Sequence, residues 1–192
     1  MEILTNENQF YQGKLLLATP NMTDFRFEKS VVFLCSHTSE GAMGIIINKP
    51  VIDITFEEIS KKMNLAVTHK SQYPDIYFGG PVEIARGFVL HSNDYNVPDV
   101  SLEIQKEFRL TSSIEIMKDI VNGEGPKQSL FALGYAGWAA GQLEHEITLD
   151  SWLICNADNN LLFSMDATKK WSSALTKMGI SPSHLAGVSG SA

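Results

Sequence analysis

The stretch from Phe131 to Glu144, FALGYAGWAAGQLE, constrains the chain more than any other. A breaker, Gly123-Glu124-Gly125-Pro126, comes before it, and Ser129 to Leu133 is mostly apolar, which predicts a buried strand. Gly134, Ala136 and Gly137 then remove side-chain bulk, so the chain is expected to reverse there, where Gly tolerates a positive φ. From Trp138 the spacing becomes helical: Ala139, Ala140, Leu143 and Ile147 share a face, with Gln142, Glu144, His145 and Glu146 around the rest. A Gly-rich strand-to-helix turn can aim backbone N–H groups at an anion. The spacing fits neither common phosphate-binding glycine motif, and no Lys or Arg lies between Gly134 and Ile147. The turn is read first as close strand–helix packing, in which a β-branched residue at Gly137 would be destabilising. An anion or small-ligand cradle is the second reading.

Around this unit the chain alternates short apolar runs with turn signals. Lys14 to Thr19 predicts a strand closed by Pro20, and Asn21 to Lys29 an irregular stretch anchored by Phe25 and Phe27. Ser30 to His37 and Ala42 to Asn48 predict a hairpin. Thr55-Phe56-Glu57-Glu58 and Ser112-Ser113-Ile114-Glu115 read as capping boxes opening helices. Thr68 to Pro74 reads as a loop. Asp75 to Phe78 and Ile84 to His91 predict strands separated by Gly79-Gly80-Pro81, and Phe108 to Leu110 another. Ser151 to Ala157 and Leu161 to Ser164 predict a second hairpin, before a last helix capped by Asp166 and ended by Gly179. Hairpins mixed with a β-α-β unit point to an α+β fold: one bent, mixed sheet flanked by about four helices. A single domain is expected over 1–192, with residues 1–10 and 181–192 loosely ordered.

Charge narrows the functions. A net charge of −7 opposes direct nucleic-acid binding, which needs clustered Lys and Arg. No apolar run approaches the roughly 20 residues that cross a bilayer, and no signal peptide opens the chain, so no membrane association and a cytoplasmic location are expected. Cys35 and Cys155 are too few and too far apart for a disulfide framework or a zinc site.

The five histidines, His37, His69, His91, His145 and His184, show no metal-binding spacing, and no cofactor is implied. Cys35 and His37, two apart on one strand, are expected to face the same side, with Cys35 buried and inert rather than activated. Glu144 and Glu146 read as a solvated helix face. Arg86, near two Gly-bearing turns, suits a carboxylate or phosphate. It can share a site with His91, five residues on, only if the strand bulges near Gly87 or ends before His91.

Three blocks taken together carry a resemblance. The first is Leu17-Ala18-Thr19-Pro20, Ser30-Val31-Val32, His37 and Gly41 to Pro50. The second is Gly79-Gly80-Pro81-Val82, Arg86-Gly87-Phe88 and His91. The third is Gly134-Tyr135-Ala136-Gly137-Trp138, Gly141-Gln142-Leu143-Glu144 and Trp152-Leu153. In order and spacing the chain resembles the YqgE/AlgH family of bacterial cytoplasmic proteins from about Tyr11 to Ala192. Ser36 stands where the family more often carries a carboxylate, which argues against an acid–histidine pair at His37. The resemblance implies a bent mixed sheet curling toward a pseudo-barrel. It implies no established activity, although one branch is labelled a transcriptional regulator. The residues thus lead away from an enzyme and toward a regulatory or adaptor protein acting on an unidentified protein or small ligand. The alternative is an enzyme or an anion- or phosphate-binding protein. Its candidate site gathers His37, Gly79, Gly80, Arg86, His91, Gly134, Tyr135, Gly137 and Trp138. The oligomeric state is left open.

Overall fold

The computed structural model describes residues 10–66 and 73–186. One strongly curled sheet carries the fold. Its strands are β1 (Lys14–Ala18), β2 (Val31–Thr38), β3 (Gly41–Ile46), β4 (Ile76–Phe78), β5 (Val82–Ser92), β6 (Leu102–Ile104), β7 (Phe108–Thr111), β8 (Ser129–Ala139) and β9 (Trp152–Asn156). They run in the order β6-β7-β5-β8-β3-β2-β1-β9, with β4 pairing β8. The β4–β8 pair is parallel and the rest antiparallel, so the sheet is mixed, as expected.

The runs around β1 and β2 are apolar on both faces because both faces are covered. Leu15, Leu17, Val31 and Phe33 point into the curl, against α4 (Ala167–Lys177) and the turn before it. Leu16, Ala18, Val32 and Leu34 point outward, under α3 (Gln142–Thr148). A second outer panel, Val89 and Phe131, lies under α1 (Phe56–Lys62) and α2 (Ile114–Asn122). A fifth helix, α5 (Pro182–Ala186), occupies part of the segment expected to be loose. The rest of that expectation, residues 1–9 and 187–192, lies outside the described residues, as do 68–72 of the loop and His69.

Several local expectations are corrected. β8 does not stop at Leu133 but runs on to Ala139, because Ala136–Ala139 pair with Gly44–Gly41 of β3. That pairing satisfies a backbone which small residues alone would leave free to turn. The reversal falls at Ala140-Gly141, and the helix starts only at Gln142. Leu161 to Ser164 is not a strand: Asn160–Ser164 is one turn of π-helix. Leu161 and Leu162 are neighbours and both buried in the same cluster, which strand alternation would forbid. Lys170, 1% exposed, fastens this turn by donating from Nζ to the Leu162 carbonyl at 2.7 Å, over the Tyr77 ring. Burial draws its amine down to about 8. Thr55 and Glu58 form their capping box. Ser112 does not: α2 starts one residue later, and the Ser112 hydroxyl donates to the Gly87 carbonyl at 2.8 Å. Phe27 packs against Trp138 and Trp152, whereas Phe25 is 82% exposed and anchors nothing.

Candidate binding cleft

The site follows from how the chain passes β8. β4 lies on one edge of Phe131–Leu133 and β5 on the other. Between them Gly79-Gly80-Pro81 crosses β8 at Gly134 and Tyr135. A Cβ on Gly79 would sit 2.2 Å from the Gly134 oxygen, one on Gly80 2.1 Å from the Tyr135 carbonyl carbon, and one on Gly134 2.4 Å from the Gly80 oxygen. Gly134 also has φ +73, which L residues adopt at a cost. These three glycines serve a close backbone-to-backbone crossing and are not among the residues that line the cleft beside Arg86. Gly137 differs. It is exposed, its φ is not positive, and a Cβ would meet chiefly the Tyr135 ring at 3.3 Å, so the expected intolerance of Gly137 moves to Gly134.

After the crossing, β5 makes one bridge, Val82 to Tyr135, and rejoins β8 only at Gly87. Residues Glu83 to Arg86 loop out as a wide, exposed bulge, with Glu83 at φ 47. The bulge and the β2–β3 hairpin flank an open cleft of about 560 Å³, lined among others by Arg86, Phe88, Tyr135, Gly137, Trp138 and Met43. The Arg86 guanidinium lies 5.0 Å over the Phe88 ring. Its Nε donates to Ser112 Oγ at 3.2 Å and its Nη1 to Glu83 at 3.1 Å, and the side chain stays 53% exposed.

Four of the nine candidate residues, Arg86, Tyr135, Gly137 and Trp138, meet at this cleft. His91 does not. The bulge ends before Gly87, and pairing is regular from Gly87 to His91, so strand parity puts Arg86 with Phe88 and His91 with Val89 on the other face. His91 is fully buried. Nδ1–H donates to the Ser92 carbonyl at 2.9 Å, Nε2 accepts from Thr111 Oγ1 at 2.9 Å, and Thr111 accepts from Ser101, whose oxygen accepts the Val97 N–H. Burial pushes this imidazole below its ordinary value, and the Arg109 charge adds to the shift, against the Ser92 carbonyl and Asp94.

His37 is likewise withdrawn. β2 bulges between Leu34 and Ser36, so His37 faces away from Cys35, contrary to the expected shared face. Its Nδ1 accepts the Tyr11 N–H at 3.0 Å, so Nε2 carries the proton and donates to Glu144 Oε1 at 2.8 Å. The acid–histidine pair that Ser36 argued against exists, with α3 supplying the acid. Burial raises the Glu144 carboxyl, but the backbone N–H at the start of α3 and the His37 ring outweigh it and hold it below the ordinary range. Glu144 keeps a 46% exposed side chain, but Glu146 is half-buried and its Oε2 accepts from both Trp138 Nε1 (2.9 Å) and Trp152 Nε1 (2.7 Å). Spacing within one helix could not show acceptors for donors on other strands. Burial pushes the Cys35 thiol far up and Cys155 to about 11, so neither is an activated nucleophile. No three His, Cys, Asp or Glu converge to hold a metal among the described residues.

The whole pattern has relatives. Residues 15–183 match the AlgH-like family. The chain belongs to that family. A UPF0301 protein of Bradyrhizobium is 43% identical over 195 residues, covering 98% of this chain and 90% of its own. One from Cereibacter sphaeroides is 41% identical, covering 94% and 98%. The solution structure of the AlgH protein from Pseudomonas aeruginosa is 36% identical, covers both chains fully and superposes with a TM-score of 0.77. A Corynebacterium diphtheriae crystal structure, 19% identical over 92% of this chain and 90% of that one, shares the fold at a TM-score of 0.68. This chain is α+β. No helix among its described residues is long and apolar enough to cross a membrane.

Proposed function

We propose that this chain is a non-catalytic, cytoplasmic binding protein, acting in regulation or as an adaptor through a partner held in the cleft beside Arg86. One observation carries the reading: reactive groups and recognition groups are segregated. His37, His91 and Cys35 are buried, and both imidazoles are committed at both nitrogens. The cleft instead gathers a half-exposed guanidinium, aromatic rings, bare backbone at Gly137 and the carboxylates of Glu40 and Glu83, with no histidine or cysteine in its lining. A guanidinium and aromatic rings hold a ligand without transferring its protons. The charge of −7 and the single Arg of the cleft favour a protein or small-molecule partner over a nucleic acid. The enzyme alternative loses His37 and His91 from its site and keeps Arg86 and Tyr135, beside the carboxylates of Glu40 and Glu83.

A thermal-stability screen against nucleotides, sugar phosphates, acyl cofactors and peptides tests this. A ligand at 100 times its dissociation constant adds about 2.7 kcal/mol of stability. The expected result is stabilisation of the wild type that Arg86→Ala removes. Stabilisation indifferent to Arg86→Ala would place the binding site elsewhere, and turnover of a stabilising ligand would overturn the non-catalytic reading.

A further inference from the structure

We propose that the cleft takes an extended peptide as an added strand on the open edge of β8, an inference that rests on reading the cleft as the binding site. Ala136–Ala139 pair with β3 on one edge. On the other edge, past the single Val82–Tyr135 bridge, no strand lies among the described residues. The Ala139 N–H donates to the Gln142 side-chain oxygen at 3.0 Å rather than across to β3. In an antiparallel ladder the backbone groups of every second residue point to the same edge. Gly137 therefore turns its N–H and C=O away from β3, toward the open side, where it is exposed and lines the cleft. A donor and an acceptor on one extended residue are half of a hydrogen-bonded pair, and a second extended backbone completes it. Side-chain-free Gly137 lets that backbone approach.

The walls of the cleft set the peptide's polarity. β5 runs antiparallel to β8, and a peptide laid on the same edge in the same sense has its C-terminal end at Val82 and its N-terminal end at the β2–β3 hairpin. Arg86 stands at the Val82 end, where Glu83 pairs with it at 3.1 Å, so an incoming carboxylate takes the place of Glu83 on the guanidinium. Glu40 stands at the hairpin end, in no ion pair among the described residues. The complementary ligand is a peptide cationic toward its N-terminal side and anionic, or ending in a free carboxylate, toward its C-terminal side. Met43, Phe88 and Tyr135 offer apolar contact to the alternate side chains that point inward.

A phage-displayed library of random peptides, selected on the intact protein, supplies the probe. Selected peptides are synthesised and N-methylated one residue at a time. The expected result is enrichment of peptides with an anionic C-terminal side. Their affinity should fall about tenfold, one hydrogen bond's worth, on N-methylation of the residue facing Gly137 and stay nearly constant on N-methylation of its neighbours. Gly137→Pro is expected to cost a similar factor, and Arg86→Glu to abolish the charge preference, with melting temperatures unchanged. No enrichment over bare support, or affinity indifferent to N-methylation, overturns the proposal. Should Gly137→Pro fail to fold, the N-methyl scan on the wild type decides alone. A small molecule that stabilises through Arg86 while no peptide is selected overturns strand addition and leaves the cleft reading standing; failure of both screens removes both.

Discussion

The two halves of β8 do different work. Ser129–Leu133 pairs with β5 throughout and, from Phe131 to Leu133, with β4 on the other edge, and its side chains enter two cores. Ala136–Ala139 has β3 on one edge and, among the described residues, no strand on the other. Between them Gly134 and Tyr135 carry the backbone crossing of Gly79-Gly80. One strand is thus sealed at its start and open at its end. Gly-rich sequence has two opposite meanings only three residues apart: at Gly134 it admits a close backbone crossing, and at Gly137 it leaves room.

The largest expected effect separates those meanings. Gly134→Ala forces a Cβ into the Gly80 and Val82 carbonyl oxygens at a positive φ. It should lose roughly 2–5 kcal/mol in denaturant unfolding. Gly137→Ala should lose under about 1 kcal/mol. Equal losses would erase the distinction. Glu146→Leu comes next and tests what holds the open half down. It strands two indole N–H groups on Trp138 and Trp152, which are 7% and 3% exposed. About 2–4 kcal/mol should be lost, with the near-ultraviolet tryptophan spectrum altered.

The smallest effect belongs to the sealed half, where His91 pairs with Ser129. The folded imidazole titrates below its ordinary 6.5, so between the folded value and 6.5 the unfolded chain binds more protons. Stability is then full above 6.5 and falls as the pH drops, by up to about 1.4 kcal/mol per pH unit. His91→Gln should flatten that part of the profile. An unchanged acid limb would assign it to another group.

The sequence made the sheet legible because apolar runs, capping signals and Gly-Pro breaks act locally. Phe33, Val89 and Leu90 fall inside predicted strands, and all are buried. What stayed hidden depends on partners distant in the chain. The extension of β8 needs β3, about 95 residues earlier in the chain. The roles of Glu144 and Glu146 need His37, Trp138 and Trp152. The burial of Lys170 needs the carbonyl that the π-turn offers it. Arg86, Tyr135, Gly137 and Trp138 were legible as site candidates. Their separation from His91 is what strict alternation predicts, since the bulge falls at 83–86 rather than at Gly87 and leaves the strand parity between Arg86 and His91 intact.

Amide hydrogen exchange along β8 tests the open edge most directly. Phe131 donates to the Asp75 carbonyl at 3.0 Å, and Trp138 lies in register with Ala42 of β3. Their amides should exchange only on opening of the whole sheet. Gly137, between protected neighbours, should exchange orders of magnitude faster, as a solvated amide does. Protection of Gly137 equal to that of Trp138 would mean that the edge is already filled, and the account of the cleft would fail.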